Sequence, residues 1–234
     1  MPTAPGKKRS VLGMIPAKGG SQRLARKNIL PLGGKTLLQW AVDAGLRSGI
    51  LDRLIVSTED EEIAAAARTL GAEVPFLRPA HLARDPYGVV DVALHALNTL
   101  RAAGETYATL VILLPTCPFR TAEDISAAFR QFTAAGAESL LSVAPCGHTP
   151  FTAIKLEGGN ASFWFPEYLG AKPGGLPKAY RPNGAIHVLD VDSFERKKSY
   201  TAQPLHAYLM PPERSVDVDT SEDLAFAEFL LAGR

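Results

Sequence analysis

Between Ser10 and Val143, short apolar runs alternate with longer stretches of helical period. Val11 to Ile15 reads as a first buried strand. Leu37, Leu38, Trp40, Ala41, Ala44 and Leu46 fall largely on one helical stripe, and Leu54-Ile55-Val56 follows as a second buried strand. Helical patterns over 62–70 and 89–100, an apolar strand over 110–114, a helix over 125–132 and a strand at Leu140-Leu141-Ser142-Val143 continue the series. This order predicts an α/β domain with a mainly parallel sheet and helices on both faces. Three hydroxyl-to-carboxylate spacings, Thr58 with Glu61, Thr121 with Asp124 and Thr220 with Asp223, predict capping boxes and assign those acids to helix starts.

The texture changes over 144–180. Pro145, Pro150, Pro166, Pro173 and Pro177 break the helical pattern, and Gly158-Gly159-Asn160 separates two short strand-like runs. A β-hairpin with an aromatic arm, Phe163-Trp164-Phe165, fits here; it serves as a dimerisation arm or substrate lid, or is an ordinary surface hairpin. Strands over 185–189 and 207–210 and a helix over 224–231 complete the chain, and residues 1–9 form a flexible basic start.

Charge changes this picture little at first. With 25 basic and 24 acidic side chains the net charge is +1, which argues against a chain-wide nucleic-acid or membrane-surface binder. No apolar run approaches the roughly 20 residues that span a bilayer, and the start lacks a signal core, so a cytoplasmic protein is expected. Cys117 and Cys146 sit beside prolines without metal spacing, and the five histidines are scattered.

The chemistry concentrates after the first strand. Lys18, Arg23, Arg26 and Lys27 place four positive charges in the eleven residues 18–28, with no acid and with Gly19-Gly20-Ser21 supplying clustered N–H groups and a hydroxyl. A polyphosphate is the natural partner; the alternative is a solvated basic loop. GxGxxG is absent, and Gly34-Lys35-Thr36 only mimics the end of a P-loop, since Ile29 stands where its first glycine belongs. A phosphate loop that matches neither pattern leaves nucleotidyltransferases as a leading class.

Near the other end, Asp217 and Asp219 alternate with Val216 and Val218. In extended chain the two carboxylates therefore face one way, a pairing suited to Mg²⁺ bridged to substrate phosphates, or else to a solvated strand edge. Two further stretches qualify: Pro115-Thr116-Cys117-Pro118-Phe119-Arg120 at the carboxyl end of a buried strand, and Arg181-Pro182-Asn183-Gly184 ahead of another.

In this order the stretches resemble the acylneuraminate cytidylyltransferases over nearly the whole chain. The matching residues are 17–28, Ser57-Thr58-Glu59, Leu77-Arg78-Pro79, 115–121, 181–186 and 217–220. The resemblance implies one Rossmann-like nucleotidyltransferase domain over 10–234, with 144–180 inserted as an arm that dimerises and partly closes the neighbouring subunit's site. It implies transfer of CMP from CTP to the anomeric hydroxyl of a nine-carbon 2-keto sugar acid, with pyrophosphate released. Lys18 and Lys27 would serve catalysis with Asp217 and Asp219, which would also hold Mg²⁺. Ala17, Lys18, Gly19, Ser21, Arg23, Lys27, Asn28, Arg78, Pro115, Thr116 and Arg120 would bind the nucleotide. Arg181, Asn183, His187 and Tyr200 would sit near the sugar.

Departures fall mostly on the sugar side. Sialic-acid members carry Gln at Leu114, Lys at Thr152, Arg near Pro173 and Tyr at His187. Ser21-Gln22-Arg23 is similar to the pseudaminic branch, whereas Arg-Pro-Asn-Gly is similar to the sialic and legionaminic branch, so legionaminic, pseudaminic and Kdo-type acids remain alternatives. Two rivals are a nucleotide-sugar glycosyltransferase, which also pairs an α/β sheet with Asp-x-Asp, and a nucleotide-binding relative without turnover.

Overall fold

A computed structural model describes residues 10–233; the flexible start expected for 1–9 lies outside them. The chain runs β1 (Val11–Pro16), β2 (Pro31–Leu32), β3 (Lys35–Thr36), α1 (Leu37–Arg47), β4 (Arg53–Ser57), α2 (Glu61–Thr69), α3 (Val89–Ala102) and β5 (Thr109–Ile112). It continues with α4 (Ala122–Ala135), β6 (Ser139–Pro145), β7 (Ile154–Glu157), β8 (Asn160–Phe163), β9 (Tyr180–Asp190), α5 (Val191–Lys197), β10 (Leu205–Leu209) and α6 (Ser221–Ala232). The main sheet has six strands in the order β10-β6-β9-β5-β1-β4. β1 pairs parallel with β4 and β5, and β10 with β6; β9 alone runs antiparallel, between β5 and β6.

Period-two alternation splits β1 between two cores. Val11 and Ile15 pack with α1, α2 and α4 on one face, while Leu12 and Met14 pack with α3 and α5 on the other. A third cluster, built on Leu32, Leu37, Phe119, Val216, Val218 and Ala227, seats α6. The capping boxes at Thr121/Asp124 and Thr220/Asp223 form as expected. At α2 the cap is Asp60, whose Oδ1 accepts from Glu62 N and Ile63 N (3.0 Å each), whereas Thr58 Oγ1 accepts from Asp60 N. The cap falls later than the spacing predicts because Thr58 is still held in extended pairing with Leu77.

The hairpin expected in 144–180 is present as β7 and β8, with side chains mostly exposed. After it, β9 begins at Tyr180, five residues before the expected strand, and crosses the sheet in reverse. Its pairing with β6 shifts between Leu141 and Val143, where Asn183-Gly184 bulges out. Gly184 has φ +73°, which a side chain rarely adopts, and a Cβ there would lie 3.2 Å from Leu114 and 3.4 Å from Cys117. Because β9 is antiparallel, its start shares the sheet edge with the carboxyl ends of β1, β4, β5 and β6. That edge is where open α/β sheets bind ligands.

Candidate functional site

Four chain segments meet at this edge. The loop after β1 leaves through Ala17, whose N–H bonds Ser57 O at 3.0 Å, and buried Asn28 ties the loop's return by donating to Lys18 O at 2.8 Å. The loop's cations then reach the C-terminal acids. Lys27 Nζ lies 2.5 Å from Asp219 Oδ1, and the Arg23 guanidinium 2.6 Å from Asp219 Oδ2. Two stretches nearly two hundred residues apart are thus joined.

The 216–219 segment forms no strand pairing; it is held by Val218 N donating to Thr116 O at 2.8 Å. Val216 and Val218 are buried while Asp217 and Asp219 turn the other way, as alternation predicts. Burial raises the Asp217 carboxyl above its ordinary range; a Thr116 hydrogen bond opposes this, Asp219 adds to it and Lys27 offsets part. Cys117 lies alongside, its sulfur 3.8 Å from Asp217 Oδ1, and burial pushes the thiol up to about 12, so it is an inert packing group. Among the described residues no group of three or more His, Cys, Asp or Glu forms a closed metal cage. Two carboxylates on one side suit a hard cation such as Mg²⁺ that draws its other ligands from phosphate and water.

Two cavities flank the loop and share Lys18, Lys27 and Ala83. One, about 190 Å³, is walled by Leu82, Tyr87, Val89, Val92 and Leu114, with Arg78, Pro115 and Thr116 at its polar side. The other, about 740 Å³, is lined by Ser21, Arg23, Arg84 and Glu59. An apolar slot opening into a basic cavity matches a nucleoside joined to phosphates. A third cavity of about 700 Å³ lies on the far side of Asp217 and includes Arg181, Cys146 and Phe226.

Three residues expected to touch ligand lie inside the protein instead. Arg120 is buried beneath the 114–117 loop and donates to Leu114 O (2.6 Å) and Cys117 O (2.9 Å); its remaining nitrogens lack partners, and burial lowers its pKa to about 10. It shapes the loop carrying Pro115 and Thr116 and lines neither flanking cavity. Asn183, 2% exposed, has its amide engaged by Ser142, Ala185, Met210 and Ser215. It fastens the β9 bulge to the start of the Asp217 segment. His187 sits in mid-β9 with its ring edge-on to Tyr200 at 4.8 Å, and burial pulls its pKa down to about 4. Of the four expected sugar-side residues, only Arg181 lines the cavity that Asp217 lines.

Glu59, expected only as part of a motif match, and Asp60, given no role by the sequence, both contact the loop. Glu59 accepts from Gly19 N–H at 2.7 Å and pairs with Arg78, and Asp60 pairs with Arg26 at 2.5 Å. Their signal in the sequence is position: two acids directly after a buried strand, facing a loop of four cations.

Comparison with known proteins agrees with this geometry. A family model described as cytidylyltransferase matches residues 12–154. The chain is 29% identical to a pseudaminic acid cytidylyltransferase of Campylobacter jejuni, over 94% of this chain and 95% of the relative. It is 30% identical to a CMP-N,N'-diacetyllegionaminic acid synthase of Legionella pneumophila, over 94% and 96%. Its fold is shared with a CMP:2-keto-3-deoxy-manno-octonic acid synthetase solved with CTP: TM-score 0.71 at 16% identity, covering 96% of this chain and 99% of that one. With more than half its length matched by the family model, the chain belongs to the cytidylyltransferase family.

Proposed function

We propose that this protein activates a nonulosonic acid by transferring CMP to it from CTP in the presence of Mg²⁺. The observation that carries the reading is Asp219 held by both Lys27 and Arg23, beside an apolar slot that opens into a basic cavity. The anomeric hydroxyl oxygen forms a bond to the α-phosphorus of CTP. The bond from that phosphorus to the bridging oxygen breaks, and pyrophosphate leaves with the electron pair. Lys18, Ser21, Arg23 and Lys27 are placed to bind the triphosphate and to offset the charge that builds on the leaving group. Arg78, Pro115 and Thr116 face the nucleoside slot. Asp217, on the same side as Asp219, takes the hydroxyl proton with the help of water. Asp217 and Asp219 would hold Mg²⁺, which when bound supplies charge stabilisation.

Pseudaminic and legionaminic acids are the favoured acceptors, because relatives named for these sugars align over nearly their whole length and Thr152 and Pro173 replace cations that sialic-acid members carry. Pyrophosphate release should be followed with CTP, Mg²⁺ and a panel of pseudaminic, legionaminic, sialic and Kdo-type acids; turnover with none of them removes the reading. A new glycoside formed from a CMP-sugar and an acceptor would instead indicate a glycosyltransferase. The exposed apolar residues Ile154, Leu156, Trp164, Leu169 and Leu209 support a homodimer formed through the hairpin arm and the open β10 edge. A monomer mass of 25.0 kDa by light scattering would exclude it.

A further inference from the structure

We infer that Glu59, just beyond the carboxyl end of β4, is a positioning residue for nucleotide binding that fixes the phosphate loop and Arg78 relative to each other; this rests on the nucleotide reading of the two cavities. One carboxylate makes both connections. Its Oε1 accepts from Gly19 N–H at 2.7 Å, and its Oε2 accepts from Arg78 Nε at 3.0 Å and from a terminal guanidinium nitrogen at 2.7 Å. The two partners belong to different walls. Gly19 opens the loop whose Gly20, Ser21 and Arg23 line the basic cavity, and Arg78 lines the apolar slot. Glu59 is therefore the strut between the seat for phosphates and the seat for the nucleoside.

Local packing shows that the strut is built in. An ideal Cβ on Gly19 would lie 2.3 Å from Asp60 Oδ2, so the loop reaches the Glu59-Asp60 pair only because residue 19 is glycine. Asp60 also binds Arg26 at 2.5 Å, at the loop's far end, where Arg26 adopts φ +55°. The loop is clamped at Gly19 and Arg26 while Gly20 to Arg23 face the basic cavity. On the other wall, Arg78 N–H donates to Thr58 O at 2.9 Å and the guanidinium to Ser57 O at 3.2 Å, so backbone and side chain dock on the same three residues.

The energetics favour a fixed strut over a loose surface pair. The Arg78 side chain is 3% exposed and that of Glu59 15% exposed. Burial works against the guanidinium charge and the Glu59 carboxylate sustains it. Removing one partner of such a pair leaves an uncompensated buried charge, and a carboxylate accepting a backbone N–H is a charge-assisted bond. Without Glu59 the loop and Arg78 lose their common reference, and CTP must order both on binding.

The test is calorimetric titration of wild type, Glu59→Gln and Glu59→Ala with CTP and Mg²⁺ and no sugar acid, with melting temperatures in parallel. Glutamine keeps an oxygen for Gly19 N–H but loses the charge opposite Arg78, so Kd for CTP should rise about tenfold, equivalent to about 1.4 kcal/mol. Alanine loses both contacts and should weaken binding further. In steady state KM for CTP should rise by the same factor, while KM for the sugar acid holds. Wild-type CTP affinity in a folded Glu59→Ala protein overturns the proposal and leaves the nucleotide reading standing. Failure of the wild type to bind CTP overturns both. Equal rises in both KM values reduce Glu59 to a fold residue and also overturn it. If Glu59→Ala does not fold, the near-isosteric Gln variant decides alone.

Discussion

Replacing Asn183 by alanine separates a ligand-binding role from a structural one. The amide oxygen accepts from Ser142 Oγ at 2.6 Å and Ala185 N at 3.2 Å, and its nitrogen donates to Ser215 Oγ at 2.9 Å and Met210 Sδ at 3.4 Å. The losses are unequal. Ser142 Oγ still accepts from Ile186 N at 2.8 Å and can donate to Ile186 O, and Ser215 Oγ still donates to Pro211 O at 2.8 Å. The Ala185 N–H alone has no other recorded partner, and an orphaned buried donor costs about 1–3 kcal/mol. The space vacated in the packed bulge adds about 1 kcal/mol, for a total of about 2–4 kcal/mol. Urea denaturation should show this as a lower midpoint at unchanged slope. Since domains are stable by about 5–15 kcal/mol, the variant remains folded enough to assay. Turnover should fall beyond the unfolded fraction, because the tie from the β9 bulge to Ser215 also sets Asp217. A stability loss below about 1 kcal/mol would refute the orphaned-donor reasoning.

Two further outcomes follow from the same site. His187 is held down to about pKa 4 by burial, against roughly 6.5 in the unfolded chain. The unfolded state then binds the proton first, so stability should fall as pH drops from about 6.5 to about 4, by about 3 kcal/mol in all. His187→Phe should lose this component in a comparison of urea midpoints across that window, and identical pH slopes in the two proteins would contradict it. Asp219→Asn should lower turnover by orders of magnitude, since metal charge stabilisation is worth several kcal/mol, while the protein stays folded, because the pair with 67%-exposed Arg23 is weak and asparagine keeps an oxygen for Lys27, 11% exposed. Near-normal turnover would take Asp219 out of the reaction.

The buried runs of β1, β4, β5 and β6 were legible because parallel strands covered on both faces are continuously apolar. Direction was less so. β9 enters antiparallel after a connection, 146–179, that holds the hairpin and no α-helix, whereas crossovers to parallel strands are usually helical. Helix α5, seven residues long, is too short to show a period. Residue chemistry misled in one consistent way: Arg120, Asn183 and His187 look like ligand contacts by type, yet burial turns them to carbonyls, to the β9 bulge and to Tyr200. A bulge shifts side chains off strict alternation, so no period-two reading of β9 could have placed Asn183 inward. The Asp217/Asp219 alternation held because Val216 and Val218 needed the third core.

The near-zero net charge conceals a division of labour among ion pairs. Of the loop's four cations, Arg23 and Lys27 are paired with Asp219, and Arg26 with Asp60 and Glu62; Lys18 has no recorded carboxylate partner among the described residues. Exposed pairs are worth about 0–1 kcal/mol each, so Arg23 gives up little in exchanging a carboxylate for a phosphate oxygen. Breaking a buried pair costs about 3–5 kcal/mol, so Arg78 and Glu59 stay together while the ligand enters. On the proposed reading the weak Arg23 pair would hold a cation near the cleft, where a phosphate could take it over. On the same reading the Arg78–Glu59 pair would keep the two cavities in register, so that a triphosphate would meet charge that can rearrange on a frame that does not.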